Sequence, residues 1–352
     1  MNSGQTNFNA NFSGHSALKS LPKVELHRHL EGALRLSTLK ELAPAVGIEV
    51  PENALECVNK FLVTTPMKDL GTVLQKFMMT QAVLASEEIL TRITYEAIED
   101  AAAEGIRVLE LRYAPTFIND GHPTLNWEKI TAAVQRGVKM ANSLPIAVGF
   151  LGTIQRTRSI NEALSIMDFF IEHKEHFVGV DLADNEDGFD PKPFAPVFAK
   201  AKNQGMPITI HAGEINSESS AQNVKDSIEY LNASRIGHGL QISRDAKIIE
   251  FVRKHSITLE LCPTSNWLTN AISSPELHPI RQLINAGVLV TINSDDPGIF
   301  AIDLTHEYDL LQRKYGFTIA DFERCNDIAA QASFIPLLKK QKFWPRPIHE
   351  MR

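Results

Sequence analysis

Two histidines stand two positions apart in "KVELHRHLEG", residues 23–32, where an apolar alternation stops. In an extended strand the side chains at i and i+2 leave the same face, so His27 and His29 point together while Arg28 points away. Paired imidazoles at a strand end suit either a hydrogen-bonded polar terminus or a metal. Three further stretches carry chemistry: "HAGE" with His211 and Glu214, "GHG" with His238, and "SDDP" with Asp295 and Asp296. Each has a plainer use. His211 alone suits a hydrogen-bonded core position, His238 a turn between glycines and Glu214 a helix cap, while Asp295 and Asp296 before Pro297 suit the start of a helix. That plainer use must be invoked separately at every site, whereas one metal centre accounts for them together. His27, His29, His211 and Asp295 make a workable ligand set for Zn2+, since neutral imidazole and carboxylate are ordinary zinc ligands and no thiolate is needed. Ligand type alone leaves iron, cobalt and manganese open. A catalytic ion would need a further coordination position for water.

The elements that must position these residues form a repeating pattern. Short apolar, strand-like runs occur at 23–29, 107–115, 146–154, 178–186, 207–214, 235–239, 258–266 and 288–297. Helical periodicity fills 87–104, 126–143, 160–174, 193–204, 219–231, 244–255 and 276–286, with Ser86 as a cap and Gly105, Gly205 and Gly287 where a glycine commonly follows a helix. Eight alternations of strand and helix predict an α/β fold, a (β/α)8 TIM-type barrel, with an open doubly wound sheet as the alternative. In such a barrel the active site gathers at the carboxyl ends of the strands. His27 and His29 end the first run, His211 and Glu214 the fifth, His238 the sixth, and Asp295 with Asp296 the eighth. Runs two, three and seven end in Arg112 with Tyr113, Thr153 with Gln155, and Cys262 with Ser265 and Asn266. Strands one and eight are neighbours in a closed barrel and strand five faces them across the mouth, so one ion is gripped from both sides.

Roughly 75 residues separate the first two strand runs, far beyond an ordinary βα loop. They carry helical patterns near 36–46, 53–62 and 69–84, read as an insertion over the barrel mouth. Within it Leu70, Val73, Leu74 and Phe77 form either an apolar gate or a helix core stripe. Beyond residue 303 further helices follow.

The 352 residues, 43% of them hydrophobic, suffice for a large core. A net charge of −7 argues against a polynucleotide partner, which needs a clustered basic face, and favours a small molecule. Cys57, Cys262 and Cys325 lie far apart, so neither a disulfide framework nor a thiolate zinc site is expected, and the compartment is read as cytoplasmic. No run of about 18 apolar residues exists to cross a membrane. Residues 1–20, rich in Asn, Ser and Gly, lack the order of a signal peptide and are expected to be a disordered tail before a single barrel domain at 21–352.

Taken in order, "LPKVELHRHLEG", "TIHAGE", "RIGHGL", "LELCPTSN" and "TINSDDP" resemble the adenosine/adenine deaminase family of metal-dependent amidohydrolases, over about residues 20–335. The resemblance is closest to its adenosine deaminase members. It implies an amidohydrolase barrel with one Zn2+ per chain. The implied reaction is hydrolytic loss of ammonia from C6 of a purine nucleoside, adenosine or 2'-deoxyadenosine, in purine salvage. It assigns His238 an electrostatic and base role beside the activated water, and gives Asp296 a hydrogen bond with that water or with purine N7. Glu214 would protonate purine N1, and His29, Glu31, Asp184 and Asp296 would meet substrate. The Glu214 role needs a carboxyl protonated near neutrality, which burial and the neighbouring Asp295 and Asp296 favour and a metal opposes.

Two positions depart from the family pattern. Glu31 stands where many adenosine-specific members have Asp, at the contact to the ribose 5'-hydroxyl, and Asp184 where many have Gly, whose backbone N–H meets purine N3. Adenine deaminases often carry the Glu but follow strand four with a different, serine-containing pattern, so "VDLA" leans toward nucleosides. Adenine, or a 5'-modified adenosine such as aminodeoxyfutalosine or methylthioadenosine, remains the alternative substrate. A binuclear barrel metallohydrolase would carry a bridging lysine at the end of strand four, where "VDLADNE" has none. A non-catalytic binding barrel would have lost a ligand or Glu214, and neither is missing.

Overall fold

In a computed structural model that describes residues 17–348, eight parallel strands pair in chain order. They are β1 (Lys23–His29), β2 (Ile106–Tyr113), β3 (Ala147–Gln155), β4 (Gly179–Ala183), β5 (Ile208–Ala212), β6 (Arg235–His238), β7 (Thr258–Leu261) and β8 (Leu289–Ile292). The sheet curls until β8 returns to β1. That seam is not a regular ladder: Arg28 bridges Asp295 in parallel, Asp295 N–H donates to His27 O at 3.0 Å, and His29 N–H donates to Asp295 O at 2.9 Å. The backbone of an expected metal ligand therefore closes the barrel against the strand that carries two others.

Several strands end earlier than the apolar runs suggest. The seventh run, expected over 258–266, stops at Leu261, and Pro263–Leu268 is helical because a proline at the first helical position is preset for the turn and loses no needed N–H. The eighth stops at Ile292 rather than 297, which leaves Asp295 and Asp296 on the loop. The helix expected over 276–286 shrinks to Ile280–Asn285, since Pro275 opens a separate 3-10 turn and Pro279 stands at the helix start. The longer helices match their patterns, as at Glu87–Ala103, where the Ser86 hydroxyl accepts from Ile89 N–H at 3.3 Å. Gly105 then reverses the chain at φ +88°, a conformation that disfavours any side chain.

The insertion after β1 folds as helices Leu36–Leu42, Ala54–Phe61 and Leu70–Val83. The third is capped by Asp69, whose carboxylate accepts from Thr72 N–H at 2.8 Å. Its Val73 is buried with Val63, Leu268, Ile299 and Phe300, which clamps the helix over the carboxyl-terminal mouth.

At the opposite end the helix Ile319–Ala332 plugs the barrel. The Asn326 side chain accepts from Val24 N–H at 2.8 Å, and Arg235 donates to Ala332 O at 2.9 Å. Ala329, Ala330 and Trp344 pack on Val24, Leu26, Val108 and Ala147. Of the tail expected over 1–20, residues 1–16 lie outside the described residues, while 17–20 are helical and Leu18 is buried. No helix among the described residues is long and apolar enough to cross a membrane.

Candidate active site

His27 and His29 leave the same face of β1, as the period of two requires, and His211 enters from β5 across the mouth. Asp295 follows β8 with φ +63° and His238 ends β6 with φ +61°. That left-handed backbone costs a side-chain-bearing residue roughly 1–2 kcal/mol, and at both positions it belongs to a residue turned into the mouth. The donor atoms of His27, His29, His211 and Asp295 all lie within 4.8 Å of one another. Nε2 of His27 and of His29 stand 3.3 and 3.4 Å from Asp295 Oδ1, and Nε2 of His29 is 3.2 Å from Nε2 of His211.

This cluster is suited to hold a cation. His27 Nε2 is buried without a hydrogen-bond partner, a rare and costly state unless something accepts its lone pair. Burial lowers the pKa of His211 and pushes His29 well below the ordinary imidazole range, which keeps both neutral, as ligands must be. Gly237 passes so close that a side chain there would meet His27 Cε1 at 2.8 Å.

Behind the histidines lies a buried charge network that the motifs did not reveal. Glu260 accepts from His27 Nδ1 at 2.8 Å and Asp181 from His211 Nδ1 at 3.1 Å, which leaves Nε2 of each ring for the site. Arg112 ties the pair together, donating to Asp181 and Glu260 at 2.8 Å each and to Leu26 O at 2.6 Å. Burial alone would raise the Asp181 carboxyl, but His211 and Arg112 hold it below the usual carboxylate range. A signal existed: Glu260 in "TLEL" and Asp181 in "VDLA" are single charges inside short buried strands, where an unpaired charge is prohibitive. Replacing Arg112 with Met should leave Asp181 without its guanidinium partner, while Glu260 keeps Arg235 at 2.7 Å, and cost about 3–5 kcal/mol of stability in urea unfolding. A loss under about 1 kcal/mol would mean that the network does not need its cation.

Glu214, past the Gly213 turn, is placed by Glu186, whose carboxylate accepts from Gly213 N–H at 2.8 Å and Glu214 N–H at 2.9 Å. Glu214 Oε2 is 3.6 Å from His238 Nε2, which is 3.8 Å from Asp295 Oδ2. Asp296 is buried beside them, and Gly32 admits it: a side chain at 32 would sit 1.8 Å from its Oδ1. Burial, then Asp295, raises the Asp296 carboxyl well above its ordinary value.

These groups open into a cavity of about 470 Å³, within the usual range for small-molecule sites. Leu70, Val73, Leu74 and Phe77 of the inserted helix roof it. Glu31 reaches it while accepting from Ala114 N–H at 2.7 Å, and burial raises its carboxyl to about 7. Asp184 lines it too, at φ +83°, but its carboxylate is engaged by Thr157 Oγ1 at 2.5 Å, Gln155 Nε2 at 3.3 Å and Asn185 N–H at 2.7 Å. Eight of the nine side chains singled out for metal, catalysis or substrate line this one chamber, and the ninth, His27, is buried with its Nε2 3.3 Å from Asp295 Oδ1.

The chain is similar to known deaminases in sequence and in fold. The chain is 34% identical over 318 residues to an adenosine deaminase of Shewanella loihica, covering 90% of this chain and 95% of that one. It is 33% identical over 320 residues to an adenosine deaminase of Plasmodium falciparum, covering 90% and 86%. Among solved structures, an amidohydrolase of Burkholderia ambifaria with bound Zn superposes with TM-score 0.84 at 25% identity, covering 96% of this chain and 93% of that one. An adenine deaminase of Arthrobacter aurescens gives 0.83 at 25%, covering 92% and 97%. An N6-methyl-AMP deaminase of Arabidopsis thaliana gives 0.79 at 28%, covering 93% and 96%. The family profile described as adenosine deaminase matches residues 22–346, from the strand bearing His27 to the helices that plug the barrel, so this chain belongs to the adenosine deaminase family.

Proposed function

We propose that the protein hydrolyses adenosine and 2'-deoxyadenosine to the inosines and ammonia, using one zinc ion held by His27, His29, His211 and Asp295. The observation that carries this reading is Glu214, a buried carboxyl facing His238 at 3.6 Å on the rim of the histidine cluster, inside a purine-sized chamber. When bound, such an ion supplies Lewis-acid activation of water near pH 7. The chain's own groups do the rest. Glu214, whose pKa is raised first by burial and then by Asp295 and Glu186, keeps a proton to place on ring N1 as the amino-bearing carbon is attacked. Asp296, with Oδ1 unpartnered, accepts from the attacking water or faces purine N7. Glu31 bonds the sugar 5'-hydroxyl through the oxygen not used by Ala114. The inserted helix excludes bulk water from the chamber.

One ion fits better than two. A second possible ligand group, His238, Cys262 and Asp295, shares Asp295 with the first, and burial keeps its thiol protonated. Three buried free thiols also favour a reducing, cytoplasmic compartment.

Charge selects among purine substrates. Among the described residues Arg158 is the single Arg or Lys that lines the chamber, and Asp120 and Glu162 already neutralise it. Glu31, Asp120 and Asp184 line the same chamber, and a 5'-phosphate on a ribose bonded to Glu31 would meet these carboxyl groups. A panel of adenosine, 2'-deoxyadenosine, adenine, methylthioadenosine, aminodeoxyfutalosine and AMP, compared by kcat/KM, tests the assignment. Adenosine should exceed AMP by at least about 10²-fold, since juxtaposed like charges cost several kcal/mol. A preference for adenine or for AMP would overturn the nucleoside reading.

A further inference from the structure

We propose that a buried relay, from the Ile280 backbone through His278 and Asn266, fixes His238 as the Nε2–H tautomer, so that its imidazole donates a hydrogen bond into the catalytic chamber. The tautomer follows from hydrogen-bond direction alone; its catalytic consequence rests on the deaminase reading.

The chain of inference starts at a backbone donor whose polarity is fixed. Ile280 N–H donates to His278 Nδ1 at 3.1 Å, so that nitrogen carries a lone pair. Burial keeps His278 neutral by lowering its pKa to about 3, and the ring proton must then sit on Nε2. Nε2–H of His278 meets Asn266 Oδ1 at 3.1 Å. The reversed amide would set two donors against each other, so orientation follows from the network. Asn266 Nδ2 consequently faces His238 Nδ1 at 3.1 Å. An amide NH2 only donates, so His238 Nδ1 accepts and the proton of the neutral ring lies on Nε2.

The relay is rigid and dry. His278, Asn266 and His238 are 3%, 0% and 1% exposed, so water does not compete for their polar atoms. Backbone bonds pin Asn266, from its N–H to Cys262 O at 2.9 Å and from Ile272 N–H to its O at 3.1 Å.

For His238 to take a proton at Nε2, its Nδ1 would hold a lone pair against the Asn266 amide while Nε2 gave up its existing hydrogen elsewhere. The resting ring is therefore a donor, aimed past Glu214 and Asp295, that steadies the oxygen nucleophile and the charge that develops on it. The electrostatic half of the role expected of His238 fits this tautomer, and the base half does not. Asn266 and His278 are positioning residues.

The test compares zinc-loaded wild type, Asn266→Asp and His278→Gln by long-range 1H–15N correlation of labelled histidine and by adenosine kinetics. Wild type should show Nε2–H at both His238 and His278. Asn266→Asp keeps the shape but presents only acceptors, so His238 should switch to Nδ1–H and kcat fall about 10²-fold with KM little changed, as for loss of one preorganised donor. His278→Gln keeps a donor toward Asn266 and should retain both the tautomer and most of kcat. Nδ1–H at wild-type His238, or an unswitched ring in Asn266→Asp whatever its activity, overturns the relay. Should Asn266→Asp not fold, His278→Ala decides: freeing the amide should mix the two tautomers, and a pure Nε2–H ring refutes the relay. Wild type that deaminates no purine would sink the proposed function and leave the tautomer readable.

Discussion

A Glu214→Gln variant is expected to lose about 10²–10⁴ in kcat, the range typical of a general acid–base group, while its zinc content stays at the wild-type level. The substitution preserves shape and removes only the transferable proton. In the wild type burial lifts the Glu214 carboxyl well above its ordinary value, with Asp295 and Glu186 adding to the shift and Arg156 opposing it. A group raised in this way is active in its protonated form, so kcat should hold below the elevated pKa and fall as pH rises through it. That basic limb should vanish in the variant. Steady-state kinetics beside metal analysis separates the outcomes: near-normal turnover removes Glu214 from the proton path, and lost zinc would make it a ligand instead.

His27→Ala should bind essentially no zinc and show no deamination. His27 is completely buried, with Nδ1 committed to Glu260 and Nε2 making no hydrogen bond, 3.3 Å from the carboxylate of the fellow ligand Asp295. Its removal deletes a ligand from the centre of the cluster and also strips Glu260 of a hydrogen-bond donor. Zinc at 100 times its Kd stabilises a protein that binds it only when folded by about 2.7 kcal/mol. Wild type should gain such a shift in thermal unfolding on zinc addition, and the variant should not. A fully active, metal-free variant would contradict the ligand assignment.

Much of the site was legible in the order of residues, because the relevant periods are short. The pairing of His27 with His29 needs only the two-residue repeat of a strand, and the eight-fold alternation fixes which end of the barrel collects "HAGE", "GHG" and "SDDP". Proline positions deceived the strand-length reading: Pro263 turned "CPTSN" from strand into helix, and with it aimed Asn266 at His238 rather than along β7.

Residue types and their spacing were enough to predict the barrel and to point out the side chains that it gathers at its mouth, His27, His29, His211, Asp295 and Glu214, since each is carried by a local repeat or a compact motif. Only the tertiary structure decided that Asp295 seals the seam beside Arg28, that Glu260 and Asp181 orient two of the histidines through Arg112, and that His278 reaches His238 through Asn266. The physical reason is separation along the chain. Buried polar partners in this barrel lie as many as 302 residues apart, as with Val24 N–H and Asn326 Oδ1, and no repeat along the sequence specifies which distant group will satisfy them.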